Sequence, residues 1–289
     1  MDDIQRNDHT VCKPVSSARK TDVLANLHRS QVPRQTVTLL IRASTDAIAM
    51  FHWTWIGHVL PTICLLCGAR AHNMLNLCEG CHQDMPLLTG PGCRQCARPL
   101  SHGTVCGECL KRPTVFRSTT AALRYEGCTG SLIRSFKFNG DQKAGRILAT
   151  LLARRSRAAE QPELLVPVPL SRKRLRVRGF DQSWELARQV AKLTGISADI
   201  GCVRRFSDRV PQSSLTTWGA RRQNVRGVFH VEPSRVTNRH IAIVDDVMTS
   251  GATANSLANQ LIRAGARRVD VWVACRAGLQ ARSGVQISH

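Results

Sequence analysis

The chain has 289 residues, 43% of them hydrophobic, and a formal net charge of +21 from 41 Lys and Arg against 20 Asp and Glu. That apolar content argues against wholesale disorder, and the length suits one large domain or two ordinary ones. No window reaches the roughly 18 consecutive apolar residues that a membrane-spanning helix needs. Acidic Asp2 and Asp3 stand where a secretory leader carries its basic residues, so a cytoplasmic protein without membrane insertion is expected.

Residues 1–49 are polar, with "TVTLL" as their one strand-like patch; they are expected to form a weakly ordered extension, with Met50 as an alternative true start. An apolar lead from Met50 runs into four Cys-x-x-Cys pairs, "CLLC" (64–67), "CEGC" (78–81), "CRQC" (93–96) and "CGEC" (106–109). Disulfides do not persist in a reducing cytosol. Two thiolates at i and i+3 can share one tetrahedral metal, and two such turns complete a four-cysteine site. Four pairs predict two Zn2+ ions, most simply at Cys64, Cys67, Cys78 and Cys81 and at Cys93, Cys96, Cys106 and Cys109; spacing alone leaves a crossed pairing open. All-cysteine sites are closed and structural, and His72, His82 and His102 are read as loop residues. A segment with so few large apolar side chains needs the metal to fold.

After Pro113 the pattern changes. "TTAALRYEG" reads as a strand, "GSLIRSFKFNGD" as the start of a helix and "AGRILATLLARRSR" as an amphipathic helix. "LLVPVPL" (164–170) is a short strand whose prolines mark its exit or a sheet edge. "QSWELARQVAKLTG" is a helix with Ser183 as its expected N-cap and Gly195 as its stop. "IAIV", "TANSLANQLIRAGA" and "RRVDVWVACR" then read as strand, helix and strand, the last alternating with Val269, Val271 and Val273 on one face. That order is a βαβ unit and implies a parallel sheet. Cys128, Cys202 and Cys275 are expected to be buried small residues.

Charge is concentrated in this half: residues 131–289 carry 27 basic and 11 acidic side chains, a net of +16. Such a surface attracts nucleic acid or phosphorylated ligands. Aromatic residues are only 4% of the chain, thin for stacking single-stranded bases, whereas a phosphate pocket needs none. "IAIVDDVMTSGATA" (241–254) supplies such a pocket. Asp245 and Asp246 fall at the carboxyl end of a parallel strand, where open α/β sheets bind ligands. The small residues after them turn into a helix N-terminus, whose free N–H groups suit a phosphate. A ribose phosphate explains the combination, since its hydroxyls need acceptors and its phosphate needs donors. A divalent cation can soften the carboxylate repulsion.

"IAIVDDVMTSGATA" is similar to the signature of type I phosphoribosyltransferases. By that resemblance Asp245 and Asp246 form the catalytic pair that accepts from the ribose hydroxyls of phosphoribosyl pyrophosphate (PRPP). Thr249, Ser250, Gly251, Ala252 and Thr253 would wrap its 5-phosphate. The segments "VPVPLSRKRLRVRGFDQSWELA" (166–187) and "RRQNVRGVF" (221–229), behind the Cys pairs and "CLKRPTVF", resemble the ComF/GntX family of competence and DNA-utilization proteins. The likeness covers about 240 residues from Met50 onward and leaves 1–49 unmatched. It implies an α/β fold: a type I phosphoribosyltransferase-like parallel sheet flanked by helices (116–289), preceded by a small Cys-rich double zinc ribbon (50–115). One departure is Asp181, where the family usually carries Asn, and no ligand role is assigned to it.

The resemblance places a pyrophosphate loop at Ser171, Arg172, Lys173 and Arg174, and a closing flap over 202–225 with Arg204, Arg205, Gln212 and Arg221 as candidates. Basic groups there would offset the charge of departing pyrophosphate, and a closed flap would exclude water. The activity implied is Mg2+-dependent ribosyl transfer from PRPP to an acceptor the sequence does not identify. The alternative is a non-catalytic PRPP sensor or nucleic-acid-binding protein, with single-stranded DNA or the DNA-uptake machinery as partner.

Overall fold

The structure is a computed structural model that describes residues 62–71, 75–206 and 228–278. Expectations for residues 1–49, Met50, His72, Gln212 and Arg221 lie outside the described residues. The described residues fall into two compact units divided between Gln83 and Asp84.

In the first unit, β1 (Thr62–Ile63) pairs antiparallel with β2 (Arg70–Ala71), and α1 (Glu79–Gln83) follows the second Cys pair. The sulfurs of Cys64, Cys67, Cys78 and Cys81 converge to within 4.8 Å of one another. In the second unit, Cys93, Cys96, Cys106 and Cys109 converge in the same way beside α2 (Gly107–Lys111). The pairing is therefore sequential, not crossed. Cys67 and Cys78 sulfurs lie 3.5 Å apart, and Cys96 and Cys106 sulfurs 3.7 Å apart. Those gaps are close to the ~3.8 Å edge of a tetrahedron with Zn–S bonds of about 2.3 Å. Burial pushes the Cys64 and Cys93 thiols up, but main-chain amides outweigh it and hold them at about 6 and about 7. Both clusters thus fit structural zinc, and His82 and His102 stand outside them.

The α/β core begins at β3 (Thr119–Arg124), followed by α3 (Cys128–Asn139) and α4 (Gln142–Ser156). Asp141 separates the two helices and caps α4 by accepting from the amides of Lys143 and Ala144. Next come β4 (Leu164–Pro167), α5 (Arg172–Arg178) and α6 (Gln182–Thr194). The antiparallel pair β5 (Val203–Arg205) and β6 (Phe229–Val231) precedes α7 (Pro233–Val236), β7 (His240–Met248), α8 (Ala252–Arg263) and β8 (Arg268–Arg276). Four strands form a parallel sheet in the order β3-β8-β7-β4. The proline-bearing strand is at an edge, as expected.

Layers follow from side-chain alternation. Ile241, Ile243, Val269, Val271 and Val273 share one core cluster with Leu257, Ala258 and Leu261 of α8. Ala242, Val244, Trp272 and Ala274 alternate with them and are buried too, while α4 lies on β3 and β8, and α6 on β4 and β7. The alternation expected in β8 was half the picture: an interior strand covered on both faces is apolar throughout. Cys128, Cys202 and Cys275 are buried, as expected.

At the amino end of the sheet the charges are mutually satisfied. His240 Nε2 lies 2.7 Å from Asp270 Oδ2, Arg268 Nη2 lies 2.9 Å from the same oxygen, and Ser118 donates to Asp270 Oδ1 at 2.9 Å. The second cysteine cluster is tied to the same sheet. The amide of Thr119 donates to the Arg94 carbonyl at 2.8 Å, its hydroxyl donates to the Gln95 carbonyl, and Arg276 Nε donates to the Cys96 carbonyl at 2.7 Å.

Metal analysis of the purified chain should give two zincs. Replacing Cys93 and Cys96 by Ser should reduce this to one and lower the Tm of the sheet by ~5 °C or more. The matching Cys64 and Cys67 pair of substitutions should also leave one zinc but disturb that transition less.

Candidate functional site: a carboxylate pair beside a helix start

The central strand does not stop before its aspartates. β7 runs through Asp245 and Asp246 to Met248, in parallel register with β8 from His240↔Arg268 to Met248↔Arg276. The short strand expected at "IAIV" is therefore four residues longer at its carboxyl end, because β8 continues to offer backbone partners there. The two carboxylates project from a rigid ladder, not from a loop.

Asp245 Oδ1 accepts from the Ser183 hydroxyl at 3.0 Å and from the Asp246 amide at 2.9 Å. Asp246 is 3% exposed, and its Oδ2 lies 2.9 Å from Lys137 Nζ of α3. That contact is an ion pair not aligned as a hydrogen bond, so Oδ2 is left without a hydrogen-bond donor. Burial, with the adjacent charge of Asp246, pushes the Asp245 carboxyl up to about 7. Burial and then Asp246 push the neighbouring Cys275 thiol up as well.

Two assignments around α6 change. Ser183 is not its N-cap; Asp181 is, accepting from the Trp184 amide at 3.0 Å while its other oxygen takes the Leu170 amide at 3.1 Å. Two residues on, the Ser183 hydroxyl is freed to reach Asp245. Burial raises the Asp181 carboxyl, with backbone donors opposing. Gly195 ends the helix as expected, with φ 77°.

Thr249, Ser250 and Gly251 form the turn between β7 and α8, and Ala252 and Thr253 open the helix. Thr249, Ser250 and Ala252 are exposed. Gly251 has φ 77°, in the left-handed region, where a side chain would be strained. The Ser250 hydroxyl accepts from the Ala252 amide at 3.3 Å; the remaining first-turn amides of a helix have no intrahelical partner. The five residues thus lie directly downstream of the carboxylate pair, at a helix start open to solvent.

Ser171, Arg172, Lys173 and Arg174 follow β4, the strand beside β7, but they do not form a loop. Ser171 caps α5, accepting from the Arg174 amide at 3.3 Å, and the three basic residues occupy the helix's first turn with exposed side chains. Arg204 and Arg205 lie in β5, opposite His230 and Phe229. Sequence reasoning missed Lys137 and Ser183 as members of the site; both reach it from helices distant in the chain, a pairing no local pattern encodes. A cavity of about 170 Å3 among the described residues is lined by the 88–99 segment, Thr119–Ala121 and the end of α4, away from the aspartates, and it identifies no acceptor.

The profile of a double zinc ribbon domain matches residues 55–110. The DNA utilization protein YhgH of Salmonella typhimurium is 32% identical over 225 residues, which is 75% of this chain and 98% of that protein. The chain belongs to the ComF/GntX family. Competence protein F of Haemophilus influenzae is 31% identical to this family member over 224 residues, covering 74% of this chain and 96% of that one. Among solved structures, glutamine phosphoribosylpyrophosphate amidotransferase from B. subtilis overlaps 45% of this ComF/GntX chain and 26% of its own, with 23% identity and a TM-score of 0.34. Among the described residues no helix is long and apolar enough to cross a membrane.

The raised Asp245 value fixes a sign. Its folded value, about 7, lies above the ordinary 3.8, so ionising it costs stability as pH rises between the two. The wild type should lose up to ~1.4 kcal/mol per pH unit across that window, less the screening from its partial exposure. Asp245→Asn should remove the slope, which chemical denaturation at pH 5 and pH 8 would measure.

Proposed function

We propose that this chain binds PRPP and transfers its ribosyl group to an acceptor, with Mg2+ arriving on the pyrophosphate. The observation that carries the reading is the incompletely partnered carboxylate pair at the carboxyl end of β7, one member buried and the other half-buried, with the solvent-open start of α8 directly behind it. The pair offers acceptors to vicinal sugar hydroxyls, and Thr249 to Thr253 offer amides and hydroxyls to the 5-phosphate. Ser171 to Arg174 stand after the neighbouring strand and supply positive charge for pyrophosphate. Displacement at the anomeric carbon would rest on positioning and charge stabilisation. Membership of a family whose relatives are named for DNA utilization and competence supports a role in the use of external DNA, in the cytoplasm.

A second reading has its own observation. The exposed helix α5 presents Arg172, Lys173, Arg174 and Arg176 together with Val177, 82% exposed, within a segment of net charge +16. Such a surface suits the backbone of single-stranded DNA, with PRPP binding then serving as a sensor.

Calorimetry separates the two. The wild type should bind PRPP with Mg2+, and Asp245→Asn with Asp246→Asn should weaken this by ~100-fold or more, since two charged acceptors are lost. A wild type indifferent to PRPP would end the first reading. Oligonucleotide binding that falls steeply with salt, unchanged by the aspartate substitutions but lost on neutralising Arg172, Lys173 and Arg174, would establish the second.

A further inference from the structure

The aspartate pair already has a cation, and it comes from the chain. Lys137 Nζ lies 2.9 Å from Asp246 Oδ2, with the two side chains 20% and 4% exposed. Its position is set by packing. Phe136, the residue before it, is fully buried and its ring lies against the bare backbone of Gly145, where a Cβ would approach it to 2.6 Å. The same ring faces Phe180, with centroids 5.9 Å apart. Helix α3 therefore delivers the ammonium to the end of β7 from a fixed support.

A Mg2+ ion is a poor fit to these residues. It demands a near-octahedral shell with oxygens at about 2.0–2.1 Å and retains several waters. Asp246 Oδ2 is already ion-paired with the ammonium, and Asp245 Oδ1 is held by Ser183 and the Asp246 amide. A dication placed beside Lys137 in this sheltered site would face strong repulsion. A sugar hydroxyl carries no such charge and can donate to Asp246 Oδ2, which has no hydrogen-bond donor.

We propose that Lys137 is the resident counter-ion of the Asp245–Asp246 pair, so that the pair grips ribose hydroxyls without a divalent cation and the Mg2+ requirement belongs to the pyrophosphate alone. Lys137 acts as a positioning residue: it compensates Asp246 and holds its carboxylate toward the sugar. This inference rests on the PRPP reading above and deepens it.

Ribose 5-phosphate, which has no pyrophosphate, is the probe. Titrations of the full zinc-loaded chain are run with and without Mg2+, in buffer free of chelators so that the zincs stay bound. The wild type should bind ribose 5-phosphate equally, within about twofold, in both buffers, while PRPP binds far more tightly with Mg2+. Lys137→Met should bind ribose 5-phosphate ~10-fold or more weakly without Mg2+ and recover part of the loss when it is added; Lys137→Arg should retain metal-independent binding. Metal-independent binding by Lys137→Met at wild-type affinity would overturn the proposal. So would a wild type that takes up ribose 5-phosphate only with Mg2+, which would leave the PRPP reading standing. A wild type that binds neither sugar phosphate refutes both. Should Lys137→Met fail to fold, the two wild-type titrations decide the matter.

Discussion

Two neighbouring carboxylates at the end of a buried strand are an electrostatic cost that the surroundings must offset. Here the offset is an ammonium and a hydroxyl, each reaching the pair from a different helix, and the main-chain amide of Asp246 itself. The packing of α3 on α4 and the capping of α6 by Asp181 are therefore not incidental to the site. They fix where Lys137 and Ser183 stand, and so how much of the mutual repulsion remains.

The opposite end of the sheet shows what full compensation looks like. Asp270 is as buried as Asp246, yet both of its oxygens are engaged, by His240, Arg268 and Ser118. Asp246 keeps an oxygen without a donor. A fully partnered buried carboxylate stabilises a fold; a partly partnered one at the ligand end of a parallel sheet leaves capacity for a guest.

Much of this was legible from residue order. The Cys-x-x-Cys spacing anticipated two four-sulfur clusters, and the reading of "TANSLANQLIRAGA" as a helix anticipated α8. The small residues after Asp246 anticipated a turn into that helix, since few side chains tolerate the backbone at Gly251. The misses were positional. Ser183 looked like the cap of α6 because serine favours that place, but Asp181 two residues earlier competes for it with a stronger acceptor. The basic run after β4 was expected as a loop and forms a short helix, because Ser171 caps it and its arginines and leucine favour helix. The extension of β7 past "IAIV" depended on β8 running alongside, and Lys137 depended on how α3 packs. Those are tertiary facts.

The second cysteine cluster also has a bearing on β3, the edge strand of the sheet opposite β4. The amide of Leu88 donates to the Ala122 carbonyl, that of Arg124 to the Pro86 carbonyl, and that of Thr119 to the Arg94 carbonyl. This segment therefore serves as a selvedge, closing a row of backbone groups that would otherwise be free to pair with another molecule. A chain begun just before β3 would keep every residue of the ligand site and yet be prone to self-association through that bared border, which makes the cysteine-bearing strip a safeguard of solubility as much as a structural appendage.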